Sequence, residues 1–335
     1  MPVVVVDVGI PTRGEPTYLA KAIESVLAQT RSDWRLVISE NGPGGGAVEE
    51  LVRSYADERV TYSATGEAIS LAGNHTRVIQ MGTAPYVVIL HDDDWWGPSF
   101  LESRIGFLEE HPECGMVFSG SRIVNEQGRE LGLSRLPFRP GVVASREFVP
   151  ALFQRNPIIF PSVLVRRSAY EAVGPVYSET VTWIDQEMWL RLGSRFPVGL
   201  IAAWDSHYRL HEYQDSGGHR LRLGEKHLEV VEAAAGIPGV TPAARRRGRA
   251  IALLHCSLDA IELGKRREAW QHFTAAIRAD PAFMLNRYEL GGAAVAVVGL
   301  GLGPIGRRLV TWSRRRRFAR RGTSRWQALA ARLRR

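Results

Sequence analysis

The segment Tyr-Val-Val-Ile-Leu-His-Asp-Asp-Asp, residues 86–94, joins an apolar run directly to polar side chains. The run from Tyr86 to Leu90 is short and rich in aliphatic residues, as expected of a buried strand. Asp92, Asp93 and Asp94 follow it without a break, and adjacent like charges are unfavourable unless a cation lies among them. Because Mg²⁺ binds protein carboxylates together with phosphate oxygens, the segment predicts a divalent cation site for a phosphate-bearing substrate.

An alternative interpretation is that the aspartate triplet is a polar, solvated loop. The two tryptophans that follow the aspartates argue against it. Trp95 and Trp96 would be costly to expose at this position. We therefore expect them to form walls of a sugar or base pocket beside the aspartates.

Strand and helix patterns alternate on the N-terminal side of this segment. The predicted strands are residues 3–8, 34–39, 60–63 and 86–90, with helical patterns between them. This alternation predicts an α/β fold with a mostly parallel sheet covered on both faces. Ligands of such sheets bind beyond the carboxyl ends of the strands, where the loops beginning at Gly9, Glu40 and His91 are expected to converge.

The composition changes along the chain. From about residue 222 the pattern is helical, and residues 251–263 and 268–279 predict an antiparallel helix pair that resembles one tetratricopeptide-type unit. An apolar, glycine-rich stretch and an arginine-rich tail follow. We therefore divide the chain into an α/β domain at 1–220, a helical region at 221–289 and a tail at 290–335.

The positive charge is concentrated in the tail. Residues 290–335 contain twelve arginines and no acidic residue or lysine, so the formal net charge of +8 leaves −4 for the rest of the chain. The apolar stretch 290–305 is shorter than the ~20 residues of a membrane-spanning helix. With the arginines after it, it favours peripheral contact with an anionic membrane surface over a solvated tail. We expect no nucleic-acid binding, because no recognition fold accompanies the charge.

The cysteine content and the first residues predict the compartment. Cys114 and Cys256 are too few for a disulfide framework, and the chain begins without the pattern of a secretory signal. Both observations favour the cytoplasm, with the tail on the inner face of the plasma membrane.

Four segments, in this order, resemble family 2 glycosyltransferases. They are Val8–Thr12, Ser25–Thr30, Gly73–Arg77 and His91–Asp94, and the likeness extends over about residues 3 to 217. Enzymes of that family have the GT-A fold, use nucleotide-diphosphate sugars and invert the anomeric centre. The resemblance therefore implies a GT-A catalytic domain, a Rossmann-like mostly parallel sheet, with a C-terminal helical appendage.

The resemblance also implies a donor pocket. Its residues are Pro11, Thr12, Arg13, Glu40, Asn74, Arg77, Asp92, Asp94, Trp183 and His211. Glu40 stands where the family usually has an aspartate that contacts the base, so the donor is left as a UDP-, dTDP- or GDP-sugar.

For the metal, the resemblance implies Mn²⁺ or Mg²⁺ bound by Asp93, Asp94 and His211. In the family's Asp-x-Asp motif, His91 takes the first position here and Asp93 the last. The segment from Trp183 to Arg191 resembles the family's second acidic motif, which makes Asp185 the general base that deprotonates the acceptor hydroxyl. The alternative for this segment is an amphipathic helix whose acidic side chains are only solvated.

These expectations define a metal-dependent inverting glycosyltransferase of the hexosyltransferase class, acting on a hydroxyl of a glycan, a lipid-linked molecule or a small molecule. One alternative is a non-catalytic scaffold that uses its helical and basic C-terminal region to recruit partners or membrane. Another is a nucleotidyltransferase. That class normally has a glycine-rich, basic loop after the first strand, which residues 10–14 do not match.

Overall fold

The computed structural model describes residues 4–14, 16–154, 156–174, 176–211, 222–282 and 292–297, together with Gly301, Arg308 and Val310. Nearly all of the tail predicted at 290–335 lies outside the described residues. The chain divides into two units. The first comprises residues 1–148, 157–179 and 191–209, and the second comprises residues 149–156, 180–190 and 210–335.

The helices and strands follow one another from the first β-strand to a long helical region. The first elements are β1 (Val6–Thr12), α1 (Pro16–Leu27), β2 (Trp34–Glu40), α2 (Ala47–Ser54), β3 (Val60–Ala64), α3 (Leu71–Gln80), β4 (Tyr86–Ile89), β5 (Trp95–Trp96), α4 (Phe100–Glu110), β6 (Met116–Val124), β7 (Glu130–Leu133) and β8 (Gly141–Val143). They are followed by α5 (Ser145–Gln154), a 3₁₀ turn (Phe160–Ser162), β9 (Leu164–Arg166), α6 (Arg167–Val173), α7 (Ile184–Arg195), β10 (Val198–Arg209), α8 (Leu223–Ala233), a second 3₁₀ turn (Ala234–Gly236), α9 (Pro242–Glu262) and α10 (Arg266–Ala279).

The strands form one sheet in the first unit. Its order is β3-β2-β1-β4-β9-β6-β10-β5, with β7 and β8 paired to β6 and β10. The neighbours β3, β2, β1 and β4 are parallel, and so are β6 and β10. Strand β9 lies between β4 and β6 and is antiparallel to both. The predicted α/β class, with a parallel sheet built from the N-terminal alternation, is confirmed.

The first strand extends further than its sequence indicated. We expected a loop from Gly9, but β1 continues through Pro11 and Thr12, which pair with Ser39 and Glu40 of β2. On the other side of β1, pairing with β4 stops at Gly9, whose carbonyl accepts from Leu90 N at 3.0 Å. The backbone polar groups of alternate residues in a strand point toward the same neighbouring strand, so those of Pro11 point the same way as those of Gly9. At Pro11, however, β4 has already ended, and the missing N–H of proline therefore costs no hydrogen bond between strands.

The core of the first unit forms where α1 packs on the sheet. Leu19 and Ile23 of α1 belong to the same buried cluster as Val6 and Val8 of β1. The helical 3.6-residue period of α1 and the apolar β1 run make this packing possible, and burial of each such side chain contributes roughly 1.5–3 kcal/mol.

A charge lies within β1, and the structure explains it. Asp7 is 3% exposed and forms ion pairs with Arg35 at 2.7 Å and with Arg167 at 2.8 Å. Its Oδ2 also accepts from Ala84 N at 2.7 Å. Asp7 is therefore a structural residue that links β1, β2 and the start of α6.

In the second unit, α9 and α10 form a helix pair with a shared core. Leu254, Leu258 and Phe273 belong to one buried cluster. The turn between the helices contains Gly264, whose φ of 75° is left-handed and suits glycine. Cys256, on α9, is buried and unpaired, as is Cys114 in the first unit. No helix within the described part of the chain has both the length and the apolar character needed to cross a membrane.

Candidate active site

A tight turn follows β4 and presents the acidic segment. Asp94 N donates to the carbonyl of His91 at 3.2 Å, which closes the turn. The Asp94 carboxylate is fully buried, and its Oδ1 accepts from Arg209 N at 2.9 Å. Its Oδ2 is also buried and has no hydrogen-bond partner among the described residues. Burial, followed by repulsion from Asp93, raises the pKa of Asp94 well above its usual range.

Arg209, the last residue of β10, also contacts this turn. Its Nε donates to the carbonyl of Asp93 at 2.9 Å. Its guanidinium lies 4.2 Å from the ring centre of Tyr18 and 4.7 Å from that of Trp95. Arg209 was not among the residues predicted for the site, and its one sequence signal is its position two residues before His211. The contacts show that it fixes the backbone that carries Asp93 and Asp94.

The turn brings three potential metal ligands together. Ligand atoms of His91, Asp93 and Asp94 all lie within 4.8 Å of one another. His91 Nδ1 is 3.9 Å from Asp94 Oδ2, which is too long for a hydrogen bond. Two ligands bound at roughly 2.1 Å each can span roughly 4.2 Å across one ion, so these atoms fit a divalent cation. His91 was not among the predicted metal ligands, although it occupies the first position of the metal motif.

A second histidine lies behind His91. His75, on α3, places Nε2 at 3.3 Å from Nε2 of His91 and Nδ1 at 2.9 Å from the carbonyl of Leu71. Burial, with repulsion from His91, lowers the pKa of His75 to about 3, so its ring is neutral at physiological pH. Helix α3 is capped by Ser70, whose Oγ accepts from Gly73 N at 2.8 Å. The cap fixes where the helix starts and hence which residues face the turn.

Two of the predicted donor-binding residues meet at the ends of β1 and β2. The parallel register pairs Thr12 with Glu40, and Pro11 lies one residue earlier in β1. Arg13 follows directly. The Tyr62 hydroxyl donates to Glu40 Oε2, and desolvation together with this carboxylate raises the pKa of Tyr62 to about 12. The tyrosine therefore stays protonated and holds Glu40 in place.

Asn74 and Arg77 of α3 hold the ends of β2 and β3. Ser39 Oγ donates to Asn74 Oδ1 at 2.6 Å, and Asn74 Nδ2 donates to the Ser39 carbonyl at 3.0 Å. Arg77 donates to the hydroxyls of Ser39 and Ser63 and to the Ala64 carbonyl. These bonds give both residues a positioning role, and their predicted contact with a nucleotide stays a prediction.

The two tryptophans differ from each other. Trp96 is 3% exposed, donates to the Pro161 carbonyl at 2.7 Å and stacks on Phe100 at 4.1 Å. The expectation that it forms a pocket wall is wrong, because its indole packs in the core. Trp95 is half-buried, its ring stacks on that of His207 at 4.7 Å, and the Arg209 guanidinium lies 4.7 Å from its ring centre.

Three predicted site residues belong to the second unit. Asp185 lies in the first turn of α7, where the helix dipole favours a negative charge, and its Oδ2 accepts from Asn156 Nδ2 at 2.8 Å. Trp183 lies two residues before it, with its ring 6.0 Å from that of His227. His211 is the second residue after β10, and the segment 212–221 that follows lies outside the described residues.

The chain is similar to a known protein family and to a protein named as a glycosyltransferase. A family model described as glycosyl transferase family 2 matches residues 7–174. The uncharacterized glycosyltransferase MJ1057 of Methanocaldococcus jannaschii is 23% identical over 210 residues, which is 61% of this chain and 70% of that protein.

Solved structures share the fold. S. aureus TarS 1-349 in complex with UDP-GlcNAc matches with a TM-score of 0.64 at 13% identity, covering 93% of this chain and 92% of that one. The mannosyltransferase PcManGT from Pyrobaculum calidifontis, in complex with GDP-Man and Mn²⁺, matches with a TM-score of 0.56 at 16% identity, covering 94% and 85%. With a family match over half of its length and this sheet topology, the chain belongs to glycosyl transferase family 2 and is a glycosyltransferase.

Proposed function

We propose that this glycosyltransferase moves a sugar from a nucleotide-diphosphate donor to a hydroxyl group with inversion, and that it requires Mn²⁺ or Mg²⁺. The observation that carries the proposal is the group formed by His91, Asp93 and Asp94 at the end of β4. The buried Asp94 Oδ2 has no hydrogen-bond partner within the described residues, and a divalent cation would satisfy it. Two proteins of similar fold have solved structures with such ligands: TarS in complex with UDP-GlcNAc, and PcManGT in complex with GDP-Man and Mn²⁺.

We propose that residues at the ends of β1 and β2 bind the donor. We assign the nucleotide to Pro11, Thr12 and Arg13 of β1 and its following loop, together with Glu40, because β1 and β2 end side by side there. We assign Asp92 to the ribose. Asn74 and Arg77 keep these strand ends in place. Trp183 and His211 are also proposed as donor contacts.

The bound cation would neutralise the charge that develops on the departing diphosphate. Asp93 and Asp94, with His91, would hold it. Arg209 acts on this group indirectly, because its bonds to Asp93 and Asp94 fix the turn before any substrate arrives. His211, which the sequence analysis also assigned to the metal, stays a proposed contact to the metal or the diphosphate.

Asp185 is proposed as the general base. Its carboxylate takes the proton of the acceptor hydroxyl while that oxygen bonds to the anomeric carbon. The bond from this carbon to the diphosphate oxygen breaks on the opposite face, which inverts the configuration. The Asn156 amide orients the Asp185 carboxylate by donating to Oδ2.

The acceptor class, a glycan, a lipid-linked molecule or a small molecule, is left open by the sequence and the geometry. The cytoplasmic location and the membrane contact of residues 290–335 stay predictions, since those residues lie almost entirely outside the described part of the chain.

The test is a donor screen. The full chain is incubated with UDP-, dTDP- and GDP-sugars and Mn²⁺ or Mg²⁺, and release of nucleoside diphosphate is measured. We expect one donor class to turn over, EDTA to stop it, and Asp93→Ala to lower turnover by roughly 100-fold or more. Asp57→Ala removes a surface acid paired with Arg59 and is the matched control, with turnover unchanged.

Two results would contradict the proposal. If Asp93→Ala turns over donor at the rate of the parent chain, the assignment of Asp93 as a metal ligand is wrong. If calorimetry detects no binding of any nucleoside diphosphate and the screen shows no release, the non-catalytic scaffold becomes the better explanation.

A further inference from the structure

The protons of the His75 ring can be assigned from its surroundings. A carbonyl oxygen only accepts, so Nδ1 of His75 carries the proton of the 2.9 Å bond to Leu71 O. The ring is 3% exposed and makes edge contacts with Phe160 at 5.5 Å and Tyr177 at 5.6 Å, an environment that disfavours a charged imidazole. Nε2 of His75 therefore carries a lone pair.

The proton position on His91 follows from that on His75. The two Nε2 atoms are 3.3 Å apart, and a hydrogen bond between them needs one donor. Since His75 Nε2 accepts, His91 Nε2 donates. The proton of a neutral His91 is then on Nε2, and its lone pair is on Nδ1, the nitrogen 3.9 Å from Asp94 Oδ2.

The ring of His91 is also held in orientation. It stacks on Phe160 with a centroid distance of 4.4 Å and an interplanar angle of 28°. The His75 ring meets it at 5.5 Å and 78°, an edge contact that places nitrogen against nitrogen. Tilting the His91 ring would break its stack on Phe160, and a 180° flip would replace Nε2 by a carbon and lose the contact with His75 Nε2. The two contacts together therefore select one orientation of the ring.

We propose that His75 is a positioning residue that fixes the tautomer of His91, so that Nδ1 of His91 is a nitrogen ligand beside Asp93 and Asp94 and gives the site a preference for Mn²⁺ over Mg²⁺. The inference rests on the proposed metal-dependent function. Imidazole is a ligand of transition-metal ions, whereas Mg²⁺ selects oxygen ligands. A partner that orients a ligating histidine typically changes metal affinity 10- to 100-fold.

The experiment measures metal binding by the full chain without donor or acceptor. Free Mn²⁺ is followed by electron paramagnetic resonance, and Mg²⁺ affinity is obtained by displacement of Mn²⁺. His75→Phe keeps the aromatic ring and removes both nitrogens. We expect it to weaken Mn²⁺ binding by roughly tenfold or more, while Mg²⁺ binding through the carboxylates changes little, so that the Mn²⁺/Mg²⁺ ratio falls.

Two further variants complete the comparison. His91→Asp replaces nitrogen by oxygen and should also lower the Mn²⁺/Mg²⁺ ratio. His227→Phe is the matched control, because His227 is another buried histidine bonded to a backbone carbonyl, that of Phe153 at 2.7 Å. It should keep the parent ratio.

A measurement on the unaltered chain keeps the proposal testable if His75→Phe does not fold. Long-range proton–nitrogen correlation spectra of ¹⁵N-histidine-labelled, metal-free protein report the tautomer of each ring. We expect the proton on Nδ1 of His75 and on Nε2 of His91. A proton on Nδ1 of neutral His91 would overturn the inference.

The outcomes separate this inference from the function it rests on. A parent chain that turns over donor with Mn²⁺, combined with an unchanged Mn²⁺/Mg²⁺ ratio in His75→Phe, overturns the role of His75 and leaves the transferase intact. A parent chain that binds neither ion overturns the metal-dependent function and the inference together.

Discussion

Two buried aspartates of the first unit have opposite surroundings. Asp7 meets two arginines and a backbone amide, so its charge is balanced within the protein. Asp94 accepts one hydrogen bond from a backbone amide through Oδ1, and its Oδ2 has no hydrogen-bond partner in the described ranges. Burying a carboxylate is costly unless it is paired. We therefore assign Asp7 to the fold and propose Asp94 as a cation ligand.

Asp7→Ala tests the structural role. The substitution leaves Arg167, which is 14% exposed, without its carboxylate, so we expect the free energy of unfolding to fall by about 3 kcal/mol or more. Urea unfolding followed by tryptophan fluorescence measures it. Asp33→Ala, which removes a partner of the more exposed Arg31, should change the same quantity by less than about 1 kcal/mol. Equal effects of the two substitutions would contradict the assignment.

Asp185→Asn tests the catalytic role. The amide keeps the shape of the side chain and a bond to Asn156 but cannot accept a proton as a carboxylate does. We expect donor turnover to fall by roughly 100-fold or more while nucleoside diphosphate affinity, measured by calorimetry, stays at the parent value. If turnover persists near the parent rate, the base lies elsewhere in the chain.

At the scale of elements, the approach of α3 to β1 positions much of the candidate site. A Cβ at Gly9 would lie 2.7 Å from Cβ of Val78, so only glycine lets the helix pack at this distance. The same helix carries His75, Asn74 and Arg77, which hold His91 and the ends of β2 and β3. A shift of α3 would displace all three contacts at once.

Gly9→Ala tests this packing. We expect it to lower the free energy of unfolding by roughly 1–3 kcal/mol, because Val78 must move, and to weaken Mn²⁺ binding through His91. Gly106→Ala in α4 is the matched control, since its added methyl meets no atom within 4 Å. A helix-interior glycine replaced in open space should stabilise by roughly 0.5–1 kcal/mol. If Gly9→Ala has the same free energy of unfolding as the parent chain, α3 can move away from β1 without cost and the packing argument is wrong.

At the scale of the whole molecule, the charge is unevenly distributed along the chain. Residues 1–289 carry a net charge of −4, and twelve arginines follow. An acidic body keeps the bulk of the protein from binding anionic surfaces, so any such contact is expected from the tail alone.

Vesicle sedimentation tests this expectation. The full chain should bind vesicles that contain phosphatidylserine at low salt and be released at high salt, because each arginine near the surface contributes ~1 kcal/mol that salt screens. Changing Arg314 to Arg317 to glutamine should weaken the binding, and neutral phosphatidylcholine vesicles are the control. Equal binding to both vesicle types would argue against the electrostatic contact.

The sequence alone was sufficient to predict the alternation of strands and helices and the position of the aspartates directly after a strand, β4. These features depend on local patterns, namely runs of apolar residues, helical spacing and adjacent like charges. The helix pair in the second unit followed from the same kind of pattern. The extra length of β1 could not be predicted from such a pattern, because it depends on where the neighbouring strand β4 ends.

The tertiary structure decided which charges and rings are paired. Asp7 meets Arg167 across 160 positions of sequence, and Asp94 meets the backbone of Arg209 across 115. The pairing of His75 with His91 depends on how closely α3 approaches the turn after β4. No local pattern predicts such contacts, because they arise only when packing of the sheet and helices brings distant segments within hydrogen-bond distance.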